Sequence, residues 1–247
     1  MSKWYSQISW SEVPHLSEES KKDLLSTIPQ YQRDSRTKGI PVLGAGLIYQ
    51  ISEDEIKEKD IPVPDHWKRV WALDTGWNWT AVVWGATNPD DNITHLYSCY
   101  KRGQAEPETH AAAIKAKGAW IPGVGDAADI SKLDGRQIIS IYRDTHGLDI
   151  ILPLKAVEAG IYNVWCALSS GKLKIFSSLS QWFDEFRFYA RADDGKGTVV
   201  KQNDHLMDCT RYLMMTGLDI AKAVPAPKEE GPRYVTVDSV GNNWMNS

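Results

Sequence analysis

The rhythm of apolar and polar residues changes twice along the chain. Up to Lys38 it is helical and heavily charged. Ser17 can cap a run through Leu24 and Leu25, and Pro29 can open a second helical stretch from Tyr31 to Lys38. So many charges imply an exposed helix or a junction. Gly39 to Ile51 reads as a glycine-rich loop feeding a short strand, and the acidic, proline-bearing Ser52 to Asp65 reads as a linker. From Trp67 onward three β-rich runs follow at Arg69–Asp74, Trp79–Ala86 and Ile93–Tyr100. They are separated by Thr75-Gly76 and by the turn cluster Asn88 to Asn92, a spacing that predicts an antiparallel meander.

Helix and strand then alternate. The pattern predicts helices over Glu106–Ala116, Gly135–Tyr142, Val157–Leu168, Gln181–Tyr189 and Asp204–Leu218. Strands are expected at Trp120–Val124, Asp149–Leu154 and Lys172–Phe176, and the turn from Asp193 to Gly197 reads as a β-hairpin leading into Thr198–Val200. A meander followed by such alternation implies an α/β fold, a mixed central sheet with parallel strands added to the meander and helices on both faces. The organisation is expected to be a helical segment and linker over 1–66, a domain over 67–220 and a loosely ordered tail over 221–247.

Composition narrows the class. A chain of 247 residues can bury a full core without disulfides. Cys99, Cys166 and Cys209 are odd in number and far apart, which argues for a reducing compartment and against a structural zinc site. No apolar run is long enough to span a membrane and no signal-peptide pattern opens the chain, so a soluble, intracellular protein is expected. Most of the eleven tryptophans are expected in the core. The net charge of −4 and pI near 5.9 argue against a domain that grips nucleic acid by charge alone. Carboxylates gathered for metal are compatible with that acidity.

Familiar catalytic motifs are absent. Ser170-Gly171-Lys172-Leu173 lacks the remaining elements of a P-loop, and no HExxH, GxSxG or GxGxxG occurs. His15, His66, His95, His110 and His146 are scattered and read as surface or packing residues. What remains is a set of carboxylates. Asp74 lies at the end of an apolar strand, where a lone carboxylate is costly unless paired or bound to a cation, although capping the Thr75-Gly76 turn is an alternative. Asp126 follows a later strand, with Asp129 close behind, and a plain turn competes with a ligand role. Asp204, His205 and Asp208 fall on adjacent parts of one helical face. Asp204 also suits the N-cap, which leaves Asp208 as the better ligand. Hard divalent ions prefer such oxygen donors, and paired ions of this kind hydrolyse phosphodiesters.

The order of these elements resembles the RNase H-like superfamily, and more narrowly the nuclease domain of large terminase subunits from tailed, headful-packaging phages. The resemblance rests on Tyr31 to Pro41, Gly44 to Ile51, Leu73-Asp74-Thr75-Gly76-Trp77-Asn78, Trp182 to Tyr189, and Asn203-Asp204-His205 through Asp208 to Arg211-Tyr212. It implies that Asp74, Asp126 and Asp208 form a metal-binding triad for Mg²⁺ or Mn²⁺, two ions in all, with Asp204 and His205 as neighbours. It also implies an endonuclease acting on double-stranded viral DNA in the cytoplasm of an infected bacterium. The implied partners are a packaging ATPase domain, a portal protein and a small terminase subunit. The stretch 1–66 is then expected to be the segment that follows the ATPase domain, and the isolated domain is expected to be monomeric. Lys101, Arg102, Lys132, Arg136 and Lys155 stand near strand ends or helix starts as candidate phosphate contacts, or as ordinary solvated charges. A junction resolvase and a tryptophan-rich calcium-binding module are the rival readings.

Overall fold

In β2, Lys68–Asp74, successive side chains point to opposite faces of a sheet, and the apolar sequence from Val70 to Leu73 is buried on both. Val70 and Ala72 belong to one core, Trp71 and Leu73 to another, so helices must cover each face. A computed structural model of the chain describes residues 9–13, 16–28, 37–38, 46–126, 138–192 and 197–225 and shows that arrangement.

Among the described residues the sheet has seven strands, numbered in chain order, in the order β1-β7-β4-β3-β2-β5-β6. β2, β3 (Thr80–Thr87) and β4 (Thr94–Arg102) form the antiparallel meander. β5 (Gly123–Gly125) and β6 (Ile150–Ile151) extend it in parallel from β2, and β7 (Leu173–Phe176) pairs in parallel with β4. The expected mixed sheet is thus what forms. Segment 52–65, expected as a linker, departs from expectation. Glu53–Ile56 makes a helical turn, and Lys57–Glu58 is the edge strand β1, parallel to β7. Ile56 is fully buried, and Glu53 accepts a two-pronged ion pair from Arg187, at 2.5 and 2.9 Å. A long-range partner draws in a segment whose own sequence reads as irregular.

Five helices of seven residues or more are described. The first, α1 (Glu18–Thr27), is capped as expected by Ser17, whose hydroxyl accepts from the Ser20 amide. α2 (Pro107–Ala116) packs on the Trp71 face with Ile139 and Tyr142. α3 (Val157–Ser169), α4 (Ser180–Phe186) and α5 (His205–Tyr212) share the opposite core with Val70, Ala72, Ala81 and Val83. The helix expected over Asp204–Leu218 runs as α5, then a wider π turn over Leu213–Gly217, then Leu218–Ile220. Gly217 lets that stretch approach Val70, where an added Cβ would lie 3.2 Å from a Val70 methyl. The second helical stretch expected at Tyr31 to Lys38, the glycines before Gly46 and the tail beyond 225 lie largely or wholly outside the described residues. Among the described residues no helix is long and apolar enough to cross a membrane.

Trp71, Trp84 and Trp182 are fully buried, as expected of core residues, whereas Trp77, Trp79 and Trp165 are exposed. The Trp71 indole lies over Gly123 of β5 and donates to the Ile121 carbonyl at 2.9 Å. Only a glycine fits beneath it, because a Cβ there would fall 2.2 Å from the ring. That contact fixes β5 against β2 and so fixes where Asp126 emerges.

Candidate active site

Strand alternation places Asp74 on the same face as Val70 and Ala72, towards α5. One strand over, the Asp126 amide donates to the Leu73 carbonyl at 3.1 Å, so the two carboxylates leave adjacent strand ends. α5 crosses β2 and β3 and brings Asp208 to the same place. Tyr212, one turn further along α5, marks the meeting point. Its hydroxyl donates to Asp126 at 3.5 Å. Burial first, and then the negative charges of Asp208, Asp126 and Asp74, hold its pKa well above the usual phenol range. Through His205 and Tyr212, α5 thus bonds to the carboxylates of both strand ends.

Each carboxylate meets a cation or a potential cation of the protein. Asp74 bonds to Nδ1 of His205 at 2.7 Å. Burial raises the Asp74 pKa; the His205 hydrogen bond opposes this, and the charges of Asp208 and Asp126 add to it. Its hydrogen bond to Asp74 holds His205 above the usual histidine range, against the effect of burial. Asp126 pairs with Lys155. Asp208, itself buried, accepts from Arg211 at 2.6 and 3.2 Å and from Lys201 at 3.1 Å. Arg211 is also buried, and Gly160 on α3 leaves room for its side chain. Burial disfavours the Lys201 charge, yet Asp208 and Asp204 outweigh it and hold the ammonium above its ordinary pKa.

Asp204 occupies the N-cap position of α5 as expected, but its side chain caps nothing and pairs instead with Lys201 at 3.0 Å. The cap is supplied by Glu185 of α4. This buried side chain accepts the Leu206 amide at 2.6 Å and holds Lys101 at 2.6 Å. Its quartet Trp182, Phe183, Phe186 and Tyr189 reads as core, but nothing in the spacing shows that Glu185 reaches the next helix. Of the candidate phosphate contacts, Lys101 and Lys155 are thus engaged with Glu185 and Asp126, and Arg102 is exposed at the end of β4. Asp129, Lys132 and Arg136 lie outside the described residues.

As a donor set, these residues suit a hard divalent cation, since all three carboxylates offer oxygen. Buried Asp126 Oδ1 and Asp204 Oδ2 accept no well-formed hydrogen bond and face only the ammonium groups of Lys155 and Lys201. In the present side-chain arrangement, no three His, Cys, Asp or Glu side chains among the described residues stand close enough to hold one ion. A cation binding there would replace the protein's own ammonium partners.

Sheet order, flanking helices and the carboxylates at the ends of β2 and β5 and on α5 define an RNase H-like domain. The chain belongs to the terminase family, because the model of the terminase RNaseH-like domain matches residues 72–216. It is 30% identical over 234 residues to the terminase large subunit of Salmonella phage P22, an alignment covering 89% of this chain and 46% of that protein. The chain spans about half the length of the curated relatives it matches. The structure of the P22 large terminase nuclease domain aligns with a TM-score of 0.66 at 27% identity, covering 73% of this chain and 96% of that one. The large terminase nuclease of thermophilic phage G20c, crystallised with bound magnesium, shares the fold. It has a TM-score of 0.53 at 15% identity and covers 69% of this chain and 97% of that one.

Proposed function

We propose that this chain is a divalent-metal-dependent endonuclease that cuts double-stranded viral DNA during genome packaging. The observation that carries the reading is that Asp74 and Asp126 leave adjacent strand ends and that α5, which bears Asp208, bonds to the first through His205 and to the second through Tyr212, in a domain of the terminase family. The magnesium- and cobalt-bound G20c nucleases support it as fold relatives. Asp74, Asp126 and Asp208 would hold Mg²⁺ or Mn²⁺, two ions in all, with Asp204 beside them. When bound, such ions polarise a phosphodiester and make water a better nucleophile near neutral pH.

The chain's own residues prepare that chemistry. His205 fixes one oxygen of Asp74 by hydrogen bond and leaves the other free. Tyr212 plays the corresponding part for Asp126, and Arg211 does so for Asp208 from the buried side of α5. Lys155 and Lys201 are on the open side, free to exchange a carboxylate for a phosphate oxygen once a cation takes their place. On this reading the sheet domain, β1 included, is the nuclease domain rather than 67–220 alone, and the residues before it join it to a packaging ATPase domain. The portal protein and small terminase subunit are its partners in the host cytoplasm.

The test is cleavage of supercoiled plasmid by the chain with Mg²⁺, Mn²⁺ or EDTA, beside Asp74→Asn and Asp74→Ala. Metal-dependent nicking and linearisation that both variants lose is the expected result. A folded protein that neither cuts nor binds Mn²⁺ in an Asp74-dependent way would overturn the reading.

A further inference from the structure

Beside the carboxylates lies an open cleft of about 820 Å³. Its lining adds an aromatic residue to polar ones. Trp79 is among its lining residues, with Asn78, Gln104, Gln202 and Asn203. Asparagine and glutamine serve phosphates and base edges alike, but an exposed aromatic face is the group on which an unstacked base rests. Lys201, held by Asp204 and Asp208, and His205, bonded to Asp74, link this lining to the carboxylates.

Trp79 is 45% exposed and Trp77 is 64% exposed, in a chain that buries Trp71, Trp84 and Trp182 completely. Scattered exposed hydrophobics need no explanation, but the turn that carries this residue is fixed at its backbone. The Gln104 backbone N–H donates to the Trp77 carbonyl at 2.8 Å, and the Thr80 hydroxyl to the Gly76 carbonyl at 3.0 Å. Gly103 lies so close to the turn that a Cβ would fall 2.0 Å from the Asn78 carbonyl oxygen. Lys101 stands 5.1 Å from the Trp79 ring centroid and lines a smaller cavity of about 320 Å³ that shares Trp79 as a wall. The indole is thus backed by a cation on that side and borders the larger cleft as well. Gln104 and Asn203 both adopt left-handed backbone, with φ of +51° and +53°, which places strained residues at the cleft edge.

Position supplies the remaining link. His205 lines the cleft and bonds to Asp74, so a nucleotide whose base enters the cleft has its backbone beside the carboxylates.

We propose that this cleft is a nucleobase subsite, taking an unstacked base of single-stranded or locally unpaired DNA against Trp79. The proposal rests on the nuclease reading and refines its substrate, favouring a strand that is frayed or opened at the cut. Base flipping or fraying is costly in a perfect duplex, and a mismatch or gap lowers that cost.

The experiment uses the full chain in EDTA, where DNA stays intact. Two duplexes carry 2-aminopurine, one with the probe base paired and one with it in an unpaired bulge. Binding is followed by anisotropy and by probe fluorescence. The unpaired probe should bind about 5- to 100-fold more tightly and lose fluorescence on binding, the gain that one base stacking on an aromatic ring supplies. Trp79→Ala should abolish most of that preference and Trp79→Phe should keep it. Gln104→Ala, an exposed position, should weaken the unpaired probe without unfolding the chain, a second check should Trp79→Ala fold poorly. Equal binding of the two probes, or an unpaired probe bound as tightly by Trp79→Ala as by the parent, would sink the subsite. Should plasmid cutting persist in that case, only the subsite falls. Loss of both cutting and DNA binding takes the nuclease reading with it.

Discussion

Replacing Glu185 with alanine tests whether α5, and with it Asp208, is held in place by the preceding helix. Glu185 is 3% exposed, and its two oxygens serve different partners, the Lys101 ammonium at 2.6 Å and the Leu206 amide at 2.6 Å. Removing one member of a buried ion pair costs about 3–5 kcal/mol, because the other charge is left uncompensated. Lys101, whose side chain is 11% exposed, can turn partly to solvent, which favours the lower end of that range. The orphaned Leu206 amide adds to the cost. For a chain of this size, about 3–5 kcal/mol corresponds to a fall in Tm of roughly 6–20 °C. Urea melts at unchanged m-value measure it directly. Glu185→Gln keeps an acceptor for Leu206 and should cost less, about 1–3 kcal/mol. Adding Lys101→Met to Glu185→Ala should recover stability, since the uncompensated ammonium is then gone. A loss below about 1 kcal/mol for Glu185→Ala, or no recovery in the double variant, would refute the reasoning.

Three further outcomes are expected. Gly123→Ala forces a Cβ to 2.2 Å from the Trp71 indole, which a hydrogen bond to Ile121 holds still, so urea melts should show a loss of about 1–3 kcal/mol or more. Gly85→Ala meets only the end of the Leu213 side chain, at 2.9 Å, and should cost less than about 1 kcal/mol in the same melts. Burial lowers the His110 pKa; the Ala105 carbonyl opposes this and the Arg102 guanidinium adds to it. The neutral ring accepts from Tyr100 and donates to Ala105. Its contribution to stability is therefore complete above the unfolded pKa near 6.5 and is lost as pH falls through the lowered folded value. Urea midpoints between pH 7.5 and 5 should fall less steeply in His110→Gln than in the parent.

Much of this fold was legible because local signals agree with it. The meander from Lys68 to Arg102 has short turns and β-rich runs, and all three strands formed with ends shifted by only a residue or two. Asp74, Asp126 and Asp208 were legible as candidates because each breaks an apolar pattern at an element end or on a helix face. What stayed hidden depends on partners distant in sequence. β1 is two residues long and exists only because β7 pairs with it. Asp204 looks like a cap, but Lys201 takes its side chain and Glu185 takes the helix terminus. Among so many buried tryptophans, composition could not single out Trp79. Its exposure follows from the turn built by Gly76 and Gly103.

The bond between His205 and Asp74 spans 131 positions of the chain. At the usual pace of translation, about 5–20 residues per second, roughly 7–26 s pass between the synthesis of one partner and the other. Once Asp126 has also been made, β2 and β5 can lie side by side with two carboxylates and no third. Whatever reaction the acidic cluster performs, a nascent chain cannot begin it, and a product truncated before α5 never acquires it. The last of these helices to leave the ribosome acts as an arming pin, since the third carboxylate arrives only with α5.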